Sequence, residues 1–452
     1  MARVAIAGYG REGQSSYRYY RARGDEVVIV DEREIAAENL PDGAETRFGD
    51  GVYGTLEDFD LVIRTPSLRP DKIVTRGKVW SQTNEFLARC PAEIIGVTGT
   101  KGKGTTCSLI VSILRAAGKT VHLVGNIGTP ALDVLDSVKP DDIVVYELSS
   151  FQLWDAERSP GIAVVLMMEP DHLDVHASFE EYVGAKQNIR RWQTVKDVCL
   201  YHPTNELSKR VAATPFAGLL DHDGHATCEQ CGDDALDFAA RYAVPDDNQV
   251  YVKGGYFCVQ DRQICSIDHL KLLGKHNLEN ACAAMSAVSE LLFDAISDDE
   301  YVRGLEGFSG LPHRLKFVRK VGDVDYYDDS IATTPGSAIA ALQSFDAGRV
   351  VIILGGSDKG ASYEEVVKEC GRVSASVIAI GQTGQEIVRL CDEYQVPVAR
   401  VEGLMSEVVA AVARVAAAGQ VVVLSPASAS FDQYSGYSDR GDQFIAAVEE
   451  LS

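Results

Sequence analysis

The chain has 452 residues, enough for about three domains of ordinary size, and 46% of them are hydrophobic, enough to fill a core in each. Its 66 acidic against 43 basic side chains leave a formal net charge of −23, and such a surface repels polyphosphate backbones, which excludes nucleic acid as an expected partner. No apolar run approaches the length of a membrane span, and MARVAIAGYG is expected to be a strand and a turn rather than a signal peptide, so the chain is read as cytoplasmic, without membrane insertion.

Residues 3–7 are expected to form a first strand, Gly8-Tyr9-Gly10-Arg11-Glu12-Gly13 a turn, and residues 27–30 a second strand that ends at Asp31. Glycines for a phosphate and a later carboxylate for a ribose outline a dinucleotide fold, so a redox enzyme is one reading. A further strand, 60–64, runs into Thr65-Pro66-Ser67, and the segment closes by Cys90-Pro91, short for a complete two-halved cofactor domain. The alternative is that the turn holds the nucleotide-like diphosphate of a substrate.

The stretch IIGVTGTKGKGTTCSLIVSIL, residues 94–114, carries the strongest signal. A β-branched run over 94–98 reads as a buried strand, and Leu109, Ile110, Ile113 and Leu114 repeat at helical spacing before Gly118. Between them Gly99, Thr100, Lys101, Gly102, Lys103, Gly104, Thr105 and Thr106 make a turn whose backbone N–H groups face inward at the positive end of a helix, with the Lys103 ammonium available to phosphates. Strand, lysine and helix together read as a nucleoside triphosphate site. Gly104 follows Lys103 where the Walker pattern has a hydroxyl, so Thr105 is expected to meet magnesium.

Strands at 121–124, 143–146 and 163–168 lead to Gly125-Asn126, to Glu147-Leu148-Ser149-Ser150-Phe151-Gln152 and to Asp171-His172-Leu173-Asp174. Alternation with helices implies a parallel sheet whose strand ends share one edge with the phosphate loop. Glu147 and His172 are candidate metal ligands there; each also has a plainer reading, as a surface carboxylate and a hydrogen-bonded structural histidine. Ser178-Phe179-Glu180-Glu181 reads as a capping box, and the helix behind it sets Tyr182, Lys186 and Ile189 on one side. By pattern alone Lys186 is a surface lysine with its stem on an apolar face. Candidate strands 249–252 and 256–259 flank Gly254-Gly255, a hairpin signal. In HDGHATCEQC, His222, His225, Cys228 and Cys231 form either a zinc site or a polar loop that carries these residues by chance. The ten cysteines otherwise read as reduced, buried thiols.

GKHNLEN, 274–280, opens an alanine-rich helix; Asn277 and Asn280 stand one turn apart, placed to read a base edge or, for one of them, to cap. A linker at 307–310 introduces Leu311-Pro312-His313-Arg314 and a second α/β unit. Its strands, 325–327, 350–354, 377–380 and 421–424, end in Asp328-Asp329-Ser330, Gly355-Gly356-Ser357-Asp358-Lys359, Gly381-Gln382 and Ser425-Pro426, so polar groups again collect at carboxyl ends. SPASASFDQYSGYSDRGDQF, rich in small hydroxyls, closes in an amphipathic helix and reads as a flexible surface loop or a ligand loop.

With GVTGTKGKGTT, VGNIGTP, YELSSFQL, PDHLDVH and the later AK, GKHNLEN, GLPHR, DDSIATTP and GGSDKG in this order, the chain resembles the Mur ligases over essentially its whole length. The closing segment, SPASASFDQYSGYSDRGDQF, resembles the branch that adds D-glutamate. The resemblance implies an α/β fold of three domains: a Rossmann-like UDP-sugar domain at 1–91, a central P-loop ATPase-type domain at 92–309, and a Rossmann-like amino-acid domain at 310–452. It implies a monomeric, ATP-dependent ligase of peptidoglycan precursor synthesis that joins D-glutamate to UDP-N-acetylmuramoyl-L-alanine through an acyl phosphate and releases ADP.

By the same resemblance Lys103 steadies the β- and γ-phosphates, Glu147 and His172 hold magnesium, and Lys186 matches a lysine that becomes a carbamate and ligates a second ion. Asn126, Ser149 and Gln152 face the sugar-peptide, Asn277 and Asn280 the adenine region, and Arg314 and Asp329 the ATP phosphates and ribose. Arg11, Glu12, Glu32, Arg33 and Ser67 match the UDP pocket; Thr333, Lys359, Ser430 and Tyr437 match positions for D-glutamate. Three positions depart from the family pattern: Gly104, whose continuation is similar to folylpolyglutamate synthases, Ile331 in place of a frequent lysine, and Met167 in place of a frequent asparagine. A non-catalytic ATP-binding relative that kept the fold is the remaining reading from another class.

Overall fold

The computed structural model describes residues 1–172, 174–216, 235–245, 248–259, 262–358 and 360–451. They fall into two compact units, Met1–Leu270 with His276–Phe308, and Lys271–Lys275 with Ser309–Ser452. Among the described residues no helix is long and apolar enough to cross a membrane.

The first unit opens with five strands, β1 (Arg3–Ala7), β2 (Glu26–Asp31), β3 (Glu45–Phe48), β4 (Leu61–Arg64) and β5 (Lys78–Ser81), in a parallel sheet of order β3-β2-β1-β4-β5. A second sheet follows: β6 (Glu93–Thr98), β7 (Val121–Gly125), β8 (Ile143–Glu147), β9 (Ile162–Val165), β10 (Val198–Tyr201) and β11 (Ala239–Arg241), in the order β11-β10-β9-β6-β8-β7. Every pair in it is parallel, as the alternation of strands and helices implied. The chain leaves β6 toward β7 on one side and returns through β9 on the other. The loop after β6 therefore lies where the strand order reverses, the place at which open parallel sheets admit ligands.

Packing follows the apolar periodicity. Leu109, Ile110, Ile113 and Leu114 of the helix Lys103–Ala116 are fully buried, each contributing roughly 1.5–3 kcal/mol. One continuous core takes Val4 and Ile6 from the first sheet, Val124 and Tyr146 from the second, and Tyr17 and Leu132 from the helices Arg11–Ala22 and Ala131–Val134. A buried ion pair joins them: Arg64 donates to Asp155 through Nε at 2.7 Å and Nη2 at 2.6 Å, and to the carbonyls of Thr65, Leu68 and Phe151.

Three sequence expectations are corrected here. The strand expected over 163–168 ends at Val165, because Leu166 and Met167 turn to the phosphate loop: Leu166 N–H donates to Thr98 O and Met167 O accepts from Thr100 N–H. Ser178 caps the helix Phe179–Arg191 by accepting from Glu181 N–H, but the Glu181 carboxylate accepts from Ala177 N–H and Arg69, so the box is half made. Lys186, a surface lysine by pattern, is 2% exposed. The hairpin forms as expected, with β12 (Val250–Lys253) and β13 (Tyr256–Val259) joined through Gly254 and Gly255 at φ 60° and 83°, and β14 (Arg262–Ser266) extends it.

The second unit holds β15 (Lys316–Val321), β16 (Val324–Asp328), β17 (Val350–Gly355), β18 (Ser376–Ile380), β19 (Val398–Arg400) and β20 (Val421–Leu424), in the order β15-β16-β20-β17-β18-β19. Only β15 is antiparallel to its neighbour. With β20 between β16 and β17, the loops after these three strands meet at one edge. The residues after β20 are not a surface loop at their start, since Ser425, Ala427, Ser428, Ala429 and Ser430 are all buried.

Candidate active site

The loop after β6 is shaped by glycine. Gly102 has φ 84°, and a Cβ there would sit 2.5 Å from Asn280 Oδ1, so the left-handed turn and the close approach of the helix Lys275–Leu292 both require its bare backbone. Asn280 is itself buried and donates to Asn277 Oδ1 at 3.1 Å, which sets this asparagine pair against the loop. Lys103 begins the helix and folds its ammonium back onto the Gly99 and Thr100 carbonyls, at 3.1 and 2.8 Å. Lys101 is exposed and pairs with Glu169, while the Thr100 hydroxyl lies 2.7 Å from that of Tyr182. Gly104, Thr105 and Thr106 are buried in the first helical turn, and Thr106 Oγ1 has no hydrogen-bond partner among the described residues.

A second ammonium reaches the same carbonyl. Lys186 Nζ donates to Gly99 O at 2.9 Å and to Thr98 Oγ1 at 3.2 Å. Burial first, and then the charge of Lys103, hold its pKa well below the ordinary lysine range, against the opposing pull of Asp171 and Glu147. Glu147, at the end of β8, is buried; Oε1 accepts from Asn126 Nδ2 at 2.8 Å, and Oε2 is buried without a partner among the described residues. Two lysines, a carboxylate with one oxygen unspent and Asn126 thus converge at the loop. His172 stands apart in its bonding: it is half-exposed at φ 54°, with Nε2 3.4 Å from Asp171 Oδ2 and its ring 4.9 Å from Phe151. Among the described residues no three His, Cys, Asp or Glu side chains gather as a metal-binding group.

The first sheet offers a cavity of about 350 Å³ lined by Tyr9, Gly10, Gln14, Asp31, Arg33 and neighbours at the ends of β1 and β2. Asp31 accepts from the N–H groups of Tyr9 and Arg33, both at 3.0 Å, and so shapes the wall. Glu32 lies 4.0 Å from Lys72, and Ser67 is exposed in the turn after β4. Arg11 donates to Gly128 O, and Glu12 turns to the second sheet, where Gln152 donates to it at 2.7 Å. Burial pushes the Glu12 carboxyl up to about 7. Ser149 and Gln152 form a capping box on the helix Ser150–Leu153.

In the second unit, Asp329 accepts from Ser425 Oγ at 2.7 Å and from Leu315 N–H at 3.0 Å. Arg314 and Tyr437 are exposed, Thr333 is half-buried and Ser430 is buried. Lys359 lies outside the described residues, as do His222, His225, Cys228 and Cys231. Burial outweighs the bonds to Asp329 and pushes its carboxyl up to about 7. Between its unfolded value near 3.8 and about 7 the folded form then holds a proton that the unfolded chain has lost, so this contribution to stability is full at low pH and fades as pH rises. Asp329→Asn is expected to flatten that decline by about one proton's worth of slope between roughly pH 4.5 and 7, measured by urea unfolding of this unit with pulse proteolysis; an unchanged slope would refute the assignment.

Comparison with known proteins adds identity to this geometry. The Mur ligase middle domain matches residues 97–288, and the Mur ligase glutamate ligase domain matches residues 313–428. A Symbiobacterium thermophilum protein named UDP-N-acetylmuramoylalanine–D-glutamate ligase is 36% identical over 465 residues, covering 100% of this chain and 98% of its own. A Clostridium tetani protein of the same name is 33% identical over 467 residues, covering 99% and 97%. The chain belongs to the Mur ligase family. A crystal structure of UDP-N-acetylmuramate-alanine ligase from Thermotoga maritima shares the fold of this Mur ligase, with a TM-score of 0.60 at 19% identity over the whole of both chains.

Several residues around the site of this Mur ligase escaped sequence reasoning. Tyr182 was placed only on a helix face, although its hydroxyl meets Thr100; Asp171 acts on Lys186 and bonds His172. His176 is buried against Phe151, Trp154 and Tyr182, with Nε2 3.0 Å from Ser150 Oγ. The PDHLDVH run contained it, yet no periodicity distinguishes a buried histidine from an exposed one.

Proposed function

We propose that this Mur ligase is an ATP-dependent, ADP-forming enzyme that adds D-glutamate to UDP-N-acetylmuramoyl-L-alanine. The observation that carries this reading is the meeting of Lys103 and Lys186 at the Gly99 carbonyl, beside the unpartnered Glu147 oxygen, in a chain related end to end to proteins named for that reaction. Domain limits of 1–91, 92–309 and 310–452 are part of this reading, one to each of the three larger sheets.

In this reading the sugar-linked alanine carboxylate takes the γ-phosphoryl group of ATP, giving an acyl phosphate and ADP. The D-glutamate amine then attacks the acyl carbon, its proton passes to solvent, and phosphate leaves in place of hydroxide, a far poorer leaving group. The loop amides of 99–106 and the Lys103 ammonium would bind the transferring phosphates and stabilise their charge. Asn277 and Asn280 would flank the adenine, with Arg314 and Asp329 serving the phosphates and ribose. Arg33, which lines the cavity after β1, would serve the UDP with Arg11, Glu12, Glu32 and Ser67, and Asn126, Ser149 and Gln152 the sugar-peptide. Thr333, Lys359, Ser430 and Tyr437 would bind D-glutamate.

The donor set fits a divalent cation: a buried carboxylate oxygen without a partner is a hard ligand awaiting one. Glu147, His172 and Thr105 would hold magnesium, which supplies charge neutralisation between two anionic reactants. Lys186, whose pKa burial lowers, is suited to react as its neutral amine with CO2, forming an N–C bond and releasing one proton, so that a carbamate oxygen would face a second ion. The protein would act as a cytoplasmic monomer.

The test is radiolabelled D-glutamate incorporation. ADP release is expected only with both UDP-N-acetylmuramoyl-L-alanine and D-glutamate present, and only with magnesium. Product with a tetrahydrofolate or L-lysine, and none with D-glutamate, would replace the substrate assignment; ATP binding without turnover on any amino acid would favour a non-catalytic relative.

A further inference from the structure

Arg69 follows the exposed Ser67 by two residues in the loop after β4, yet its guanidinium reaches beyond that loop to Val175 and to Glu181 on the helix Phe179–Arg191. Nη1 donates to Val175 O at 2.6 Å and to Glu181 Oε2 at 3.2 Å; Nη2 donates to Glu181 Oε1 at 3.2 Å and to Asp71 Oδ2 at 2.9 Å. The guanidinium also lies over the Trp154 ring at 5.0 Å. Glu181 in turn accepts from Ala177 N–H at 2.5 Å, and lies on the helix that carries Lys186. Between the pinned Val175 carbonyl and the pinned Ala177 amide, the chain folds back on His172, whose carbonyl accepts from both Val175 N–H and His176 N–H.

His172 itself has a left-handed backbone and a half-exposed side chain that meets Asp171 and the Phe151 ring, and its backbone is held by the Val175 and His176 amides. We propose that Arg69 is a positioning residue: from the loop that carries Ser67 it pins residues 175–177, whose amides bond the His172 carbonyl, and so sets where His172 stands. The proposal rests on the preceding reading of His172 as a metal ligand. Its physical basis is the planar fork, which serves a carboxylate and a main-chain carbonyl at once; a lysine offers a single point charge and cannot span both. Outer-shell partners of metal ligands cost about 10- to 100-fold in metal affinity or activity when removed.

Two variants, Arg69→Ala and Arg69→Lys, test this in the full chain. In hydrogen–deuterium exchange without ligands, the Val175 and His176 amides are expected to exchange at least about tenfold faster in both, with amides of β1 and β6 unchanged. In steady state, kcat is expected to fall about 10- to 100-fold and half-saturating magnesium to rise by a similar factor, while the ATP KM moves less than about twofold. Should Arg69→Ala fail to fold, Glu181→Gln removes the other side of the fork and is expected to loosen the same amides. Unchanged exchange at Val175 and His176 overturns the proposal whatever the activity. Faster exchange with wild-type kcat and magnesium dependence overturns it too. If the parent protein ligates no D-glutamate, the functional reading falls, and the exchange result still decides whether Arg69 holds the turn.

Discussion

A Lys186→Ala variant is expected to lose D-glutamate ligation by at least about 10³-fold, with formate or acetate restoring part of it. The side chain is buried with two hydrogen bonds, and burial beside Lys103 depresses its pKa, which favours the neutral, nucleophilic amine that carbamate formation needs. A carbamate puts an anionic oxygen ligand where the amine stood, and alanine abolishes that gain while leaving space for a small carboxylate. The loss should not come from unfolding: Gly99 O keeps its bond from Lys103, and Thr98 Oγ1 still donates to Leu148 O. The check is kcat with and without added carboxylate, alongside a thermal melt of the same preparation. Wild-type turnover in the variant would remove the carbamate from the mechanism.

Asp155→Ala is expected to destabilise the first unit by about 3 kcal/mol. Arg64 is fully buried and bridges the first sheet to the segment after β8, with Asp155 supplying the carboxylate that it hydrogen-bonds among the described residues. Its remaining acceptors are carbonyls, which satisfy N–H groups without neutralising the charge. Removing the carboxylate strands a guanidinium in a poorly polarisable interior; because Asp155 is a quarter exposed, water relieves some of that cost. Replacing both partners, Arg64→Met with Asp155→Leu, is expected to recover most of the loss, since no buried charge then remains. Urea midpoints read from tryptophan emission decide the matter, as all three tryptophans lie in this unit. A change below about 0.5 kcal/mol for Asp155→Ala, the range of ordinary surface substitutions, would show that the pair does not bear on stability.

The fold was largely legible because its main elements are apolar runs between turn residues. β1 was read over 3–7 and β20 over 421–424, their observed limits, and the parallel order of the second sheet followed from strand and helix alternation. β3 and β5 were missed, since short edge strands such as ETRF and KVWS bury too little to carry an apolar pattern. The strand read over 163–168 was too long, because its last residues spend their backbone bonds on the phosphate loop, a partner distant in the chain.

By itself the sequence determined the α/β class, the glycine-rich turn between β6 and its helix and the strand ends where the candidate site residues collect, since each depends on local periodicity, glycine placement and the order of short motifs. Tertiary structure alone decided which polar groups are buried and what they meet. Lys186 looks like any helix-surface lysine until β6 is laid against it, and Arg69 looks like a loop cation until the 172–177 turn closes over its fork. The reason is physical: periodicity reports the face of an element, whereas burial and charge compensation are set by contacts 87 and 106 residues away along the chain, for which local sequence carries no signal.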